Sequence, residues 1–138
     1  MIRAILFDFY GVWTPDHFSE CLATAQQQDP TVALEIQKTI EKYYLGLVDI
    51  GYVAEYISSS FKFKLNNPTV QPGIFTLKPT DVSPALVEFM RNLHGHFLKL
   101  GVLANLGHQE YDLLNMFNSK YQLLEVIIGS LHIGGSVL

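Results

Sequence analysis

Three scarcities frame this chain of 138 residues: one cysteine, one tryptophan and two arginines, Arg3 and Arg91. A single thiol, Cys21, has no partner for an internal disulfide, so the scaffold is not a disulfide-stapled one, and a reducing cytoplasm is the expected compartment. Charged residues make up only 16% of the chain and sum to a formal charge of -4. That balance gives no basic footprint for nucleic acid or an anionic membrane. No stretch reaches the ~18 uninterrupted apolar residues of a membrane span, and the amino terminus lacks the basic region and long apolar run of a leader. What the chain has in quantity is apolar side chains, 49% of its length, enough for one ordinary folded core and too many for general disorder.

The densest information lies at the start, in Ile5-Leu6-Phe7-Asp8-Phe9-Tyr10-Gly11-Val12-Trp13. Ala4 to Phe7 carry no polar alternation and predict a strand buried on both faces, as in the middle of a parallel α/β sheet. Ligands of such sheets bind at the carboxyl ends of the strands. Asp8 stands at that end, where a carboxylate can serve as covalent nucleophile, as metal ligand, or simply as the cap of a turn. Gly11 fits a sharp turn or a close backbone approach to a ligand.

Helical patterning follows. Asp16 starts a helix that buries Phe18, Cys21, Leu22 and Ala25; Asp29-Pro30 starts a second with Ala33, Ile36, Ile40, Tyr43 and Tyr44, stopped by Gly46. A third begins at Asp49 and buries Ile50, Val53, Ile57 and Phe61. The aromatics Tyr43, Tyr44, Tyr52, Tyr56, Phe61 and Phe63 follow this spacing and read as core. Asn66-Asn67-Pro68, Pro72-Gly73 and Pro79 mark an irregular return segment over 62–82. The α/β rhythm then resumes: a helix from Ser83-Pro84 with Leu86, Phe89, Met90 and Leu93 on one face, ended by Gly95; a strand over 98–104; a turn at Asn105-Leu106-Gly107; a helix with Leu113, Leu114 and Phe117; and a strand over 123–128.

The string IRAILFDFYGVWTPD, residues 2–16, resembles the first motif of the haloacid dehalogenase-like hydrolases, and the helices that follow resemble the cap inserted in one subgroup of that family. The resemblance implies a Rossmann-like α/β core, a partial parallel sheet of about three strands, with core segments 1–14 and 80–138 and a helical cap plus return linker over 15–79. It implies Asp8 as nucleophile on a small phosphorylated or halogenated substrate. Where the family's phosphatases carry a second Asp, this chain has Tyr10, a poor general base at neutral pH but the residue found in true dehalogenases, whose halide leaves without a proton. A halide-binding arginine is expected in the cap, and neither arginine stands there.

Leu100-Gly101-Val102-Leu103-Ala104-Asn105 resembles the second motif, with Ala104 where a hydroxyl is expected. Gly11, Ala104, Asn105 and Leu106 are the implied substrate-binding positions, the turn amides serving to cradle an anion. The family's Lys and final acidic pair have no counterpart after Ile128. Mg²⁺ is therefore left with Asp8 and the Tyr10 carbonyl, an incomplete site; a dehalogenase-like chemistry needs no metal. A chain truncated in this way exposes Ile5, Leu6 and Phe7 along a bare sheet edge, to be covered by a homo-oligomer or by residues 130–138. The alternative is a degenerate, non-catalytic relative serving as a binding or assembly module.

Overall fold

The computed structural model describes residues 3–133, and the chain divides into two compact units, residues 1–15 with 77–138 and residues 16–76. Of the segment expected along the sheet edge, residues 134–138 lie outside the described residues.

The first unit is an α/β layer. Strand β1 (Ala4–Phe7), helix α4 (Pro84–Gly95), strand β2 (Lys99–Ala104), helix α5 (His108–Tyr121), strand β3 (Leu124–Gly129) and the short helix α6 (Ser130–Ile133) succeed one another around three inserted helices. The three strands form one parallel sheet in the order β1-β2-β3. Ala4 pairs with Lys99 and Phe7 with Val102, while Ala104 pairs with Gly129. One sheet face, carrying Leu100, Val102 and Ala104, joins Met90 of α4 and Leu113, Leu114 and Phe117 of α5 in a single buried cluster. Phe9 and Trp13, just past β1, complete it.

Two expectations for this unit are corrected. Strand β1 is not buried on both faces: Ile5 and Phe7 are half-buried and Leu6 is 52% exposed. Among the described residues β1 is the border of the sheet, bonded along one side to β2, and an apolar run reports β propensity without reporting position in the sheet. Phe89 does not share the core face of α4, being 54% exposed; Met90 takes that face with the half-buried Leu86, Val87 and Leu93. The turn from α4 into β2 is made at Phe97, whose φ of 62° places a non-glycine residue in the left-handed region.

Gly101, in β2, is a position that space dictates. A Cβ there would meet Val126 Cγ1 at 2.8 Å, Leu6 Cδ2 at 2.9 Å and the Val126 carbonyl oxygen at 3.0 Å. Gly101→Ala is expected to lower stability by about 1–3 kcal/mol through this crowding, measured as the urea midpoint at constant slope.

The second unit holds α1 (His17–Gln28), α2 (Pro30–Tyr44) and α3 (Ile50–Phe63), with a 3₁₀ turn at Pro72–Phe75. Each helix starts on an aspartate as the spacing predicts: Asp16 accepts from the Ser19 N–H, Asp29 from Thr31 and Val32, and Asp49 from Tyr52. Gly46, at φ 76°, ends α2. Ile36, Val53 and Ile57 are fully buried, with Phe18, Tyr43, Phe61 and Phe75 around them. Tyr52 and Phe63 depart from the expected core and are exposed; they lie on the outer side of α3, where Val53, Ile57 and Phe61 take the inner one. Among the described residues no helix is long and apolar enough to cross a membrane.

Cys21 is buried in this unit, and its thiol is pushed from 9.0 to about 11, chiefly by burial and then by the neighbouring Glu20 carboxylate. At any pH below about 9 the thiolate fraction is then roughly 100-fold lower than in the unfolded chain. Alkylation by iodoacetamide at pH 8 is expected to be slower by at least that factor in the folded protein than in denaturant. Because the folded state holds the proton more tightly, this group's contribution to stability is intact below pH 9 and is lost as pH rises towards 11.

Candidate active site

The site is built where β1 and β2 end. Phe7 lies opposite Val102, so one further residue brings Asp8 alongside Leu103, with Ala104 and Asn105 continuing beside it. Asp8 is exposed. Its Oδ1 accepts the Phe9 N–H at 2.7 Å, which folds the carboxylate back over the start of the following turn. Among the described residues Asp8 has no ion pair.

That turn is fixed from below by aromatic packing. Phe9 is fully buried and its carbonyl accepts from both Val12 and Trp13, at 3.1 and 2.8 Å. Trp13 stacks on Phe9 and meets Phe117 edge-on, with centroids 4.8 Å apart in the latter pair. Among the described residues its Nε1–H is a buried donor without an acceptor, a cost of about 1–3 kcal/mol set against burial of a large ring. Gly11 closes the turn, its N–H donating to the Thr14 carbonyl at 2.8 Å. Its φ of 82° is the reason for glycine here. A Cβ at that position would meet nothing within 4 Å, so close approach of the backbone to a neighbour is not the constraint.

Tyr10 is engaged by a residue that sequence reading passed over. Its hydroxyl donates to Oε1 of Glu110, a carboxylate in the first turn of α5 that is fully buried. The other oxygen of Glu110 accepts the Gly107 N–H at 3.0 Å, capping the helix. Glu110 thereby ties the β1 turn to the β2–α5 turn. The signal for its capping half was present, an acidic residue three positions after the turn glycine. Nothing local signalled the bond to Tyr10.

A second unforeseen side chain serves the neighbouring amide. Ser130, buried just past β3 at the start of α6, accepts the Leu106 N–H and donates to the Leu106 carbonyl, both at 3.1 Å. The amides of Leu106 and Gly107, expected to cradle an anion, thus already have internal acceptors. Ala104 is 1% exposed and brings no hydroxyl. Asn105 is half-buried at the mouth of β2.

The arginines sit elsewhere. Arg3 precedes β1, its carbonyl accepting from Lys99 at the end of the sheet away from Asp8. Arg91 of α4 lies over the ring of Tyr121 at 5.0 Å. Among the described residues no group of three or more His, Cys, Asp or Glu side chains is arranged to hold a metal ion. The two donors that the resemblance implies for Mg²⁺, Asp8 and the Tyr10 carbonyl, are too few for its octahedral demand.

No family model matches the chain, and no curated protein matches it. Solved structures do. A dehalogenase shares 12% identity at a TM-score of 0.53, over 96% of this chain and 64% of its own. An L-2-haloacid dehalogenase shares 18% at 0.52, over 96% and 66%. The L-2-haloacid dehalogenase from Xanthobacter autotrophicus shares 16% at 0.50, over 99% and 60%, and has also been solved with chloropropionic acid covalently bound. This chain spans less than two thirds of each of them. At such identities the likeness speaks for architecture: the chain has the α/β fold of the haloacid dehalogenases that its opening residues resemble.

Proposed function

We propose that the α/β unit is a hydrolase core in which Asp8 opens the carbon–halogen bond of a small halogenated acid. The observation that carries this reading is the pairing of an exposed carboxylate at the strand mouth with a Tyr10 hydroxyl whose proton is given to buried Glu110. A proton so committed is poorly placed for a leaving group, and halide needs none. The fold likeness to dehalogenases, one of them solved with chloropropionic acid covalently bound, supports the same chemistry.

In the first step a carboxylate oxygen of Asp8 attacks the carbon bearing the halogen. A carbon–oxygen bond forms, and the carbon–halogen pair of electrons leaves with halide. Water then adds to the carboxyl carbon of the aspartyl ester, the acyl–oxygen bond breaks, and a hydroxy acid and a proton are released as the carboxylate is restored. Tyr10 acts as a positioning residue, fixing the turn that carries Asp8 through its bond to Glu110.

Substrate binding is the weaker half. Ala104 supplies no hydroxyl, and the Leu106 and Gly107 amides are occupied, while Asn105 stands half-buried at the β2 mouth. A high KM is the expected consequence. We assign residues 16–76 the role of a substrate-selecting cap, and a reducing cytoplasm as the setting of the lone thiol. The test is halide release from each enantiomer of 2-chloropropionate beside release of phosphate from a generic ester: halide without phosphate supports the assignment, and phosphate without halide overturns it.

A further inference from the structure

Helix α3 carries a second stripe besides the one it buries. Val53, Ile57 and Phe61 turn inward, while Tyr52, Tyr56, Ser59 and Phe63 follow one another at spacings of four, three and four, the interval of a seam between two packed helices. These four line one shallow hollow of about 350 Å³, and the rings of Tyr52 and Tyr56 stack along it with centroids 6.3 Å apart. Tyr52 is 54% and Phe63 76% exposed. Aromatic rings gathered on one face of a helix mark an interface rather than ordinary surface.

The charges beside the stripe identify the occupant. At about 100° per residue Glu55 and Lys62 fall on the same flank of it, one towards each end, and both are exposed. Among the described residues neither has an ion pair. On the opposite flank Val53 and Ser60 are buried, and Lys64 is held by Glu35 of α2 at 2.8 Å. We propose that the stripe packs against the same stripe of a second copy of this chain, the two α3 helices running antiparallel about a two-fold axis that is perpendicular to the plane of both helices and crosses between them at the level of the Ile57–Ser58 peptide. That operation sets Tyr52 beside the partner's Phe63, and Tyr56 beside the partner's Ser59, a large ring against a small side chain, each contact being made twice. It also keeps the two charged flanks on one side, where Glu55 meets the partner's Lys62 at a height offset of about 3 Å, which the two side chains span at an interaxial distance of about 8–10 Å. Parallel helices would set Tyr56 against Tyr56 and turn each charged flank onto the flank of Val53 and Ser60, leaving all four charges unpaired. About three turns of one helix cover less than the ~800 Å² per partner of a standard interface, so the dimer is a concentration-dependent one.

The interface goes beyond the chemistry assigned to Asp8 and does not depend on it, since its residues all belong to the helical unit and its readout is mass. Sedimentation of the full chain at low ionic strength, from about 10 µM to about 1 mM, is expected to show monomer giving way to dimer. Phe63→Glu is expected to hold the protein monomeric throughout, and Tyr52→Glu to do the same should Phe63→Glu prove unfolded by circular dichroism. Glu55→Lys and Lys62→Glu alone each create two like-charge contacts across the axis and are each expected to weaken association about tenfold; the double reversal Glu55→Lys with Lys62→Glu is expected to restore it. A chain that stays monomeric at the highest concentration overturns the proposal. So does a dimer indifferent to Phe63→Glu and Tyr52→Glu, a dimer indifferent to the single reversals, as parallel helices would give, or a double reversal that fails to rescue.

Discussion

Asp8→Asn is expected to lower halide release from 2-chloropropionate by more than about 10³-fold while leaving the folded protein intact. A carboxamide oxygen carries no negative charge and cannot displace halide at a useful rate. The substitution is otherwise mild. Asp8 is exposed, and its single described hydrogen bond, from the Phe9 N–H to Oδ1, can be accepted equally by an asparagine oxygen. Surface changes of that type stay within about 0.5 kcal/mol. Loss of turnover at an unchanged melting temperature therefore assigns the effect to chemistry, whereas turnover that survives in Asp8→Asn removes Asp8 from the mechanism.

Glu110→Ala is expected to cost about 3 kcal/mol, the largest stability effect of any single substitution at the site. Truncation strands two donors at once, the Tyr10 hydroxyl and the Gly107 N–H, each worth about 1–3 kcal/mol when unpaired, though the half-buried Tyr10 recovers part of its share from water. It also opens a cavity in a fully buried place. Tyr10→Phe strands one acceptor site only and is expected to cost about 1 kcal/mol. A double-mutant cycle by denaturant unfolding measures the link itself: a coupling energy above about 0.5 kcal/mol is expected for residues in direct contact, and additivity would show that the bond contributes nothing.

These two residues also mark what sequence reading reaches and what it does not. The helix starts at Asp16, Asp29 and Asp49 are local events, each a side chain closing on an amide two or three residues ahead, so their signal lies entirely within a short window. The strands over 4–7 and 99–104 were legible for the same reason. The bond between Tyr10 and Glu110 joins residues 100 positions apart, and that between Ser130 and Leu106 joins residues 24 apart. Nothing in either residue's neighbourhood announces the other. The burial of β1 was misread because an unbroken apolar run suits a central strand and an uncovered one alike; only pairing along one side to β2 separates them. Ala104 and Asn105 were placed correctly at the β2 mouth, yet the loss of the neighbouring amides to Ser130 and Glu110 needed the folded chain to appear.

The most direct measurement is isotopic. Turnover of 2-chloropropionate in heavy-oxygen water, followed by tandem mass spectrometry of the peptide containing Asp8, follows the oxygen through the reaction. Attack by the carboxylate and hydrolysis of the resulting ester predict heavy oxygen in the Asp8 side chain after repeated turnovers. Heavy oxygen found in the product from the first turnover, with Asp8 unlabelled, would mean that water attacks the substrate directly and would contradict the account.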